Sequence, residues 1–321
     1  MELIKFISSF LSFKKYLSKT KDKIILLTYH GLVNEITNER LQRNFHTIEQ
    51  FENHMKFLLK NHFIFLNATE LAFYTQNPNE IKHRKMVAIT FDDGYQNNLQ
   101  AIKILNKYTI SGTFFVSSDT INSPISIWTV NLSLLLLEGD SQSINFNDKV
   151  FALHNYEARL IAFNEIRNHL KTCNSKDRIN FLDELTSQFP ENELQKLINK
   201  HHYFKMLTWN EIKQVQSENI QFHSHGNYHE IHHQWQEEST IENEIEKSKA
   251  TIESNLNTNV FLFAYPNGNY NPISDKYLLK NNYKAAFVLG EQTFNNEAKI
   301  YSIPRITPNG KLKKFKIQIE K

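Results

Sequence analysis

Short apolar runs alternate along most of this chain with stretches of helical period. The runs 24–28, 87–91, 113–116, 220–223, 261–264 and 285–288 are rich in β-branched and aromatic residues. Each is short and bounded by polar or turn-forming residues, which predicts buried strands. Between them, Leu99, Ile102, Ile104 and Leu105 recur at helical spacing, and 244–256 has the same character. Strand and helix in alternation predict parallel strands joined by helical crossovers, an α/β fold. The alternation stops between Val116 and Leu207. There 128–137 is strongly apolar, and 156–170, 176–189 and 191–198 have helical periodicity. This predicts a mostly helical insertion over about residues 117–206. Such a segment either covers a site, forms a partner surface or elaborates the scaffold.

The first 22 residues have a different texture. Leu3, Ile4, Phe6, Ile7, Phe10, Leu11, Phe13, Tyr16 and Leu17 are interrupted by Lys5, Lys14 and Lys15. The run is too broken for the apolar core of a signal peptide and has no small-residue cleavage site. It predicts an amphipathic helix, either lying on a membrane surface through residues 1–19 or packed on its own domain. With one cysteine, Cys173, the chain forms no internal disulfide. The single Cys leaves secretion undecided, and the two features together lead us to expect a cytoplasmic protein, at the inner face of the membrane if the N-terminal helix binds lipid. A net charge of +3 on 321 residues is only mildly basic. No basic patch interleaved with aromatics stands out, so no nucleic-acid partner is expected. Composition leaves the oligomeric state open.

The strand ends carry the candidate chemistry. Run 87–91 opens into Asp92-Asp93-Gly94-Tyr95, with two adjacent carboxylates at the mouth of a strand. Adjacent side chains there point in different directions, so one carboxylate can hold a metal while its neighbour acts as a base. Asp-Gly is equally a common turn dipeptide. Run 220–223 leads into His223-Ser224-His225-Gly226-Asn227-Tyr228-His229. His225 and His229 are spaced i, i+4, so both imidazoles can reach one ion. The chain has 14 histidines, and a chance cluster is the competing reading. A third run ends in Ala264-Tyr265-Pro266-Asn267-Gly268, a strand followed by a turn.

In this order the three elements resemble the polysaccharide deacetylase family, also called the NodB-homology domain or carbohydrate esterase family 4. Thr90 to Gly94 is similar to its first motif. Ser224-His225-Gly226-Asn227-Tyr228-His229 is similar to its second, with Gly226 in place of a Thr. Phe263 to Gly268 is similar to its third. Leu207-Thr208-Trp209, the helix around Lys247-Ser248-Lys249 and Tyr283-Lys284-Ala285-Ala286-Phe287 match the connecting text. The resemblance covers about residues 24–116 and 207–307. It implies a distorted, incomplete (β/α) barrel, here a deacetylase domain over 23–321 with the helical insertion inside it.

The resemblance also implies a site. Asp93, His225 and His229 would hold one divalent metal, zinc foremost, with cobalt, nickel or iron as alternatives. Asp92 would be the general base. His223, one layer deeper on the same strand face, would not be a ligand. The reaction would be removal of N-acetyl groups from N-acetylhexosamine units of a surface polysaccharide or its lipid-linked precursor. Deformylation or O-deacetylation of a sugar, or an idle glycan-binding module, are the alternatives.

Two departures from the family pattern matter. No His follows His233, so the usual C-terminal general acid is missing. Tyr29-His30, at the end of the first run, resembles the acid motif of the subgroup acting on poly-N-acetylglucosamine. It makes His30 the candidate acid, with Tyr29 orienting it or lining the pocket. The third motif begins with Ala264 instead of Arg and has Asn267 between Pro266 and Gly268. Arg305 either replaces the missing Arg or is a surface residue at a strand end. Tyr265 and the turn Pro266-Asn267-Gly268 would contact substrate, with a backbone N–H aimed at the developing oxyanion.

Overall fold

The protein, seen in a computed structural model, is described for residues 23–81, 85–290 and 299–320. The N-terminal segment 1–22, with its expected helix and membrane contact, lies outside the described residues. Among the described residues no helix is long and apolar enough to cross a membrane.

Seven parallel strands follow one another in chain order around a sheet: β1 Lys23–Tyr29, β2 Lys85–Phe91, β3 Gly112–Val116, β4 Ile220–Ser224, β5 Leu262–Ala264, β6 Ala285–Leu289 and β7 Ile303–Arg305. Ile306, just past β7, returns to β1. Its N–H donates to Leu26 O (2.7 Å) and its carbonyl accepts from Thr28 N–H (2.9 Å). The sheet therefore curls almost into a barrel, as the family resemblance implies. The pairing is uneven, which accounts for the distortion. β1 and β2 are in register along their whole length, from Lys23 opposite Lys85 to Tyr29 opposite Phe91. β4 and β5 share only the pair Ser224 and Phe263. β7 has three residues with Pro304 at its centre, too short for an apolar run to announce it.

Alternation along the strands divides the core in two. Ile24, Leu26, Met86, Ala88, Phe115, Leu262, Ala264, Phe287 and Ile303 pack together inside the barrel. The helix Ala68–Gln76 adds Leu71 and Ala72 to this cluster. Outward-facing Ile25, Leu27, Val87, Ile89, Phe114, Phe222 and Phe263 pack against the surrounding helices. Burial on both faces explains why the strands read as unbroken apolar runs. The helix Ile48–Lys60 is started by a reciprocal cap between Thr47 and Gln50, and Trp209–Val215 by Thr208 with Glu211.

Between β3 and β4 the chain builds a second apolar core. Its helices are α1 Trp128–Glu138, α2 Tyr156–Leu170, α3 Ser175–Thr186 and α4 Glu193–Lys200. Leu132, Leu135, Leu136, Phe163, Ile166, Leu185 and Ile198 pack within it. Two strands, Ser143–Phe146 and Lys149–Ala152, form a hairpin between the first two helices. Helical periodicity did not reveal this hairpin. Its outer positions are polar or exposed, and only Ile144, Phe146 and Phe151 are buried.

Candidate active site and metal centre

The C-terminal ends of the strands converge on a cleft of about 350 Å³. His30 follows β1, Asp92 and Asp93 follow β2, His225 follows β4, and Tyr265, Asn267 and Gly268 follow β5. All of them line the cleft, together with His229.

The two aspartates keep different company, as expected of neighbours at a strand end. Asp92 continues the inward face of Thr90 and meets Arg305 from β7. The guanidinium donates to both carboxylate oxygens, at 2.7 Å each, and to Thr90 Oγ1 at 3.1 Å. The Thr90 hydroxyl in turn donates to Leu27 O (2.9 Å). Arg305 is fully buried, with Phe115 and Phe287 beneath its guanidinium, so the surface alternative for this residue does not hold. Burial alone would raise the Asp92 carboxyl. Arg305, then His225 and His30, outweigh it and hold the group below its ordinary value. Asp92 is therefore ionised and fixed in orientation.

Asp93 turns the other way. Its φ of +75° swings the side chain toward the histidines. Asp93 Oδ1 lies 3.4 Å from His225 Nε2 and 3.4 Å from His229 Nε2. The donor atoms of the three residues all lie within 4.8 Å of one another. Ligands about 2.0–2.2 Å from a tetrahedral ion are about 3.3–3.6 Å apart, so the cup has the right size for one small divalent cation. His225 Nδ1 is 2.8 Å from Ala264 O and donates to it, which leaves Nε2 as a lone-pair donor. Burial opposes ionisation of Asp93, but His225, His229 and His30 hold its carboxyl well below the usual range. Burial also lowers His229, despite Asp93 beside it, which favours the neutral ligand form. Tyr95 lines the same wall. Burial and the Asp93 charge push its hydroxyl well above its ordinary value.

The second-motif loop is held in place by a carboxylate. Glu244, on the helix Glu238–Leu256, accepts from the backbone N–H of Asn227 (3.0 Å), Tyr228 (2.8 Å) and Glu230 (3.0 Å). Gly226 has φ +79°, and a Cβ there would meet Glu244 Oε2 at 2.4 Å. That accounts for glycine where the family pattern has Thr. His229 has φ +59° and Asn267 φ +58°. Left-handed non-glycine residues cost about 1–3 kcal/mol each and persist only where surroundings dictate them. Three of them border this one cleft.

The insertion reaches the same loop. Trp128 Nε1 donates to His229 O (3.1 Å). Arg178, almost wholly buried, pairs with Glu230 and lies over the Trp128 ring. Lys171 Nζ donates to Asn267 Oδ1.

His30 is buried at the cleft wall. Asn98 Nδ2 donates to its carbonyl (2.6 Å), and its own Nδ1 has no partner. Tyr29 is not brought into the cleft. It faces outward from β1, fully buried, with its hydroxyl 3.1 Å from His54 Nδ1 and its ring against Phe51 and Phe91. Alternation along the strand separates it from His30. The Tyr265 ring is buried against His232, Phe263 and Tyr270. Gly268 N–H is engaged by Tyr265 O (2.9 Å) and Pro266 has no N–H, which leaves the Asn267 N–H as the candidate oxyanion donor of this turn. His223 stays in the barrel interior, where Phe261 N–H approaches its Nδ1 (3.4 Å).

Sequence reasoning gave no role to Glu244, Trp128, Arg178 or Lys171. Glu244 did leave a signal, being a carboxylate on the buried face shared by Ile241, Ile245 and Ser248. The other three carry none, because a long insertion does not reveal which of its residues fold back onto the barrel.

Comparison with known proteins agrees with this fold. No curated protein sequence matches the chain. The chain is similar in structure to Streptococcus pyogenes deacetylase PplD in complex with acetate, with 18% identity, TM-score 0.60, and 93% of this chain and 98% of that one covered. It is also similar to IcaB from Ammonifex degensii, with 16% identity, TM-score 0.56, and 94% and 97% covered. BC0361, a polysaccharide deacetylase from Bacillus cereus, has 17% identity and TM-score 0.56, with 92% and 69% covered. These likenesses concern the fold. Residues 79–286 match the family model described as polysaccharide deacetylase, a span that begins after β1 and so does not include His30. By that match over more than half its length, the chain belongs to the polysaccharide deacetylase family.

Proposed function

We propose that the chain removes N-acetyl groups from N-acetylhexosamine units of a surface polysaccharide or its lipid-linked precursor. One divalent ion, zinc foremost, is held by Asp93, His225 and His229. When bound, it polarises the acetamido carbonyl and makes water a better nucleophile. The observation that carries this reading is the division of labour between two adjacent carboxylates. Asp93 faces two imidazoles, while Asp92 is kept off them by the Arg305 fork.

In this reading Asp92 takes the proton of the attacking water. Each of its oxygens retains a second lone pair beyond the bond from Arg305. The tetrahedral oxyanion is met by the Asn267 N–H. His30, which lines the cleft and whose buried Nδ1 has no partner, gives a proton to the departing amine, without which the intermediate would revert. The absence of any His after His233 supports this assignment.

Acetate release from N-acetylglucosamine oligomers, measured beside formyl and O-acetyl analogues, tests the reaction. Fastest turnover on the N-acetyl substrate is expected. Preference for the formyl analogue would reassign the acyl group removed, and preference for the O-acetyl analogue would reassign the leaving group. The broken apolar run of residues 1–19 supports action at the cytoplasmic face of the membrane, and fractionation of the intact chain tests this.

A further inference from the structure

Four cations stand along the outer wall of the cleft. Arg40 and Arg43 belong to the loop after β1. Arg167 and Lys171 lie one turn apart at the end of α2 in the insertion. Two separate parts of the chain thus bring like charges together at one mouth.

Among the described residues the partners of Arg40, Arg167 and Lys171 are neutral. The guanidinium groups of Arg40 and Arg167 lie over the Phe163 ring, 5.2 and 5.0 Å from its centroid. Arg40 also donates to Asn164 Oδ1, Arg167 to Asn168 Oδ1 (3.1 Å), and Lys171 to Asn267 Oδ1. Arg167 Nε is buried without a partner. Among the described residues lining the cleft the only acids are Asp92 and Asp93, and both are already engaged, by Arg305 and by the histidines. The repulsion is visible in the charges themselves. Burial, then Arg40 and Arg43, lower Arg167, and burial with Arg167 and Arg43 brings Lys171 down to about 8. Surfaces ordinarily intersperse opposite charges, and gathering like ones is unfavourable unless an anion completes the set. A neutral N-acetylhexosamine polymer offers nothing to complete it.

We propose that the substrate carries an oxyanion, phosphate or carboxylate, on or beside the sugar being deacetylated, and that Arg40, Arg43, Arg167 and Lys171 bind it at the mouth of the cleft. The guanidinium fork matches the two oxygens of either group. Because Lys171 also holds Asn267, the anion site adjoins the turn that faces the scissile group. This inference rests on the deacetylase reading and names the substrate class within it.

The test compares kcat/KM on three N-acetylglucosamine oligomers, one neutral, one with a phosphodiester and one with a neighbouring uronate. Wild-type protein is set beside Arg40→Gln and Arg167→Gln at low ionic strength. The expected result is at least a tenfold preference for one anionic oligomer. That preference should fall roughly tenfold in each variant, in the range of a lost charge-assisted hydrogen bond. It should also shrink as salt is raised. The stronger of the two anionic substrates identifies the source of the oxyanion. Equal turnover of neutral and anionic oligomers, or a preference that survives both substitutions, would overturn the proposal. If no oligomer is hydrolysed, the deacetylase reading fails instead. The rim is then tested alone, by NMR titration of the arginine Nε–H signals with methyl phosphate and with glucuronate. Saturable shifts of Arg40 and Arg167 would support the anion site, and unshifted signals would overturn it.

Discussion

The floor and the mouth of the cleft are charged in opposite ways. On the floor each charge has its counterpart: Asp92 has Arg305, and Asp93 has His225 and His229. At the mouth, beside Arg43, the residues Arg40, Arg167 and Lys171 have amides and an aromatic ring. Paired charges on buried strand ends are held in one geometry, which chemistry requires. Charges with no acidic partner among the described residues, on a loop and a helix end, remain available to something that arrives. The floor therefore reads as the reaction centre and the mouth as the place where the substrate is chosen.

Emptying the metal cup should break the floor most severely. Asp93→Ala is expected to abolish metal binding and reduce acetate release to background, followed by metal analysis of the purified variant. Asp92→Asn separates base from ligand. It should retain the metal yet lose about 10²–10⁴-fold in kcat. Near-native turnover in Asp92→Asn would move base catalysis elsewhere. His30→Ala should fall in the same 10²–10⁴ range with metal content intact. If it does not, Asp92 must serve as both base and acid.

Arg305→Met attacks the pairing itself. It leaves a buried carboxylate without its counter-charge, at a cost of about 3–5 kcal/mol measurable by denaturant unfolding at neutral pH. The sign follows from the direction of the shift. With Arg305 present the Asp92 carboxyl is depressed, so its contribution to stability is full above the unfolded value and is lost as pH falls through the folded one. Without Arg305 the carboxyl rises. The acid limb of the pH–rate profile should then move to higher pH, and the deficit in stability should shrink as the medium is acidified. An unmoved acid limb would detach Asp92 from the titration that controls the rate.

The next effect is smaller and concerns the support of the histidine loop. Glu244→Gln replaces an acceptor of three backbone N–H groups with a group that can accept on only one atom. Metal affinity should weaken roughly 10–100-fold, as for other outer partners of metal ligands. Glu244 itself is raised to about 7, chiefly by burial. Its raised value makes its contribution to stability complete below the unfolded value and lost as pH rises through about 7. The wild-type protein should therefore lose some stability across neutral pH that Glu244→Gln does not. Smallest of all is the mouth, where single arginine substitutions should change substrate preference about tenfold.

The floor was legible in the sequence for a physical reason. Chemistry at the end of a buried strand places its residues directly after an apolar run, and Asp92-Asp93, His225 and the turn at Pro266 all stand there. His30 was readable in the same way. Arg305 was half legible, because β7 is three residues long and nothing local says that its side chain points into the barrel. Tyr29 shows the limit of proximity in sequence. It adjoins His30, yet the pleat sends it into the helix layer. The mouth was not legible at all. Arg40 and Arg167 meet over Phe163 only after the insertion has folded back, and no periodicity encodes that approach. Trp128 and Arg178 were hidden likewise, although they brace the loop that carries His229.

The central claim is that one metal held by Asp93, His225 and His229 makes this cleft an N-deacetylase. The most direct test is to strip the protein of metal and titrate it with zinc while following acetate release from N-acetylglucosamine oligomers, phosphodiester- and uronate-bearing ones included. Release should be absent at the start, rise to a plateau at one equivalent, and not appear with Asp93→Ala. Undiminished release from metal-free protein, or a full response from Asp93→Ala, would contradict the account.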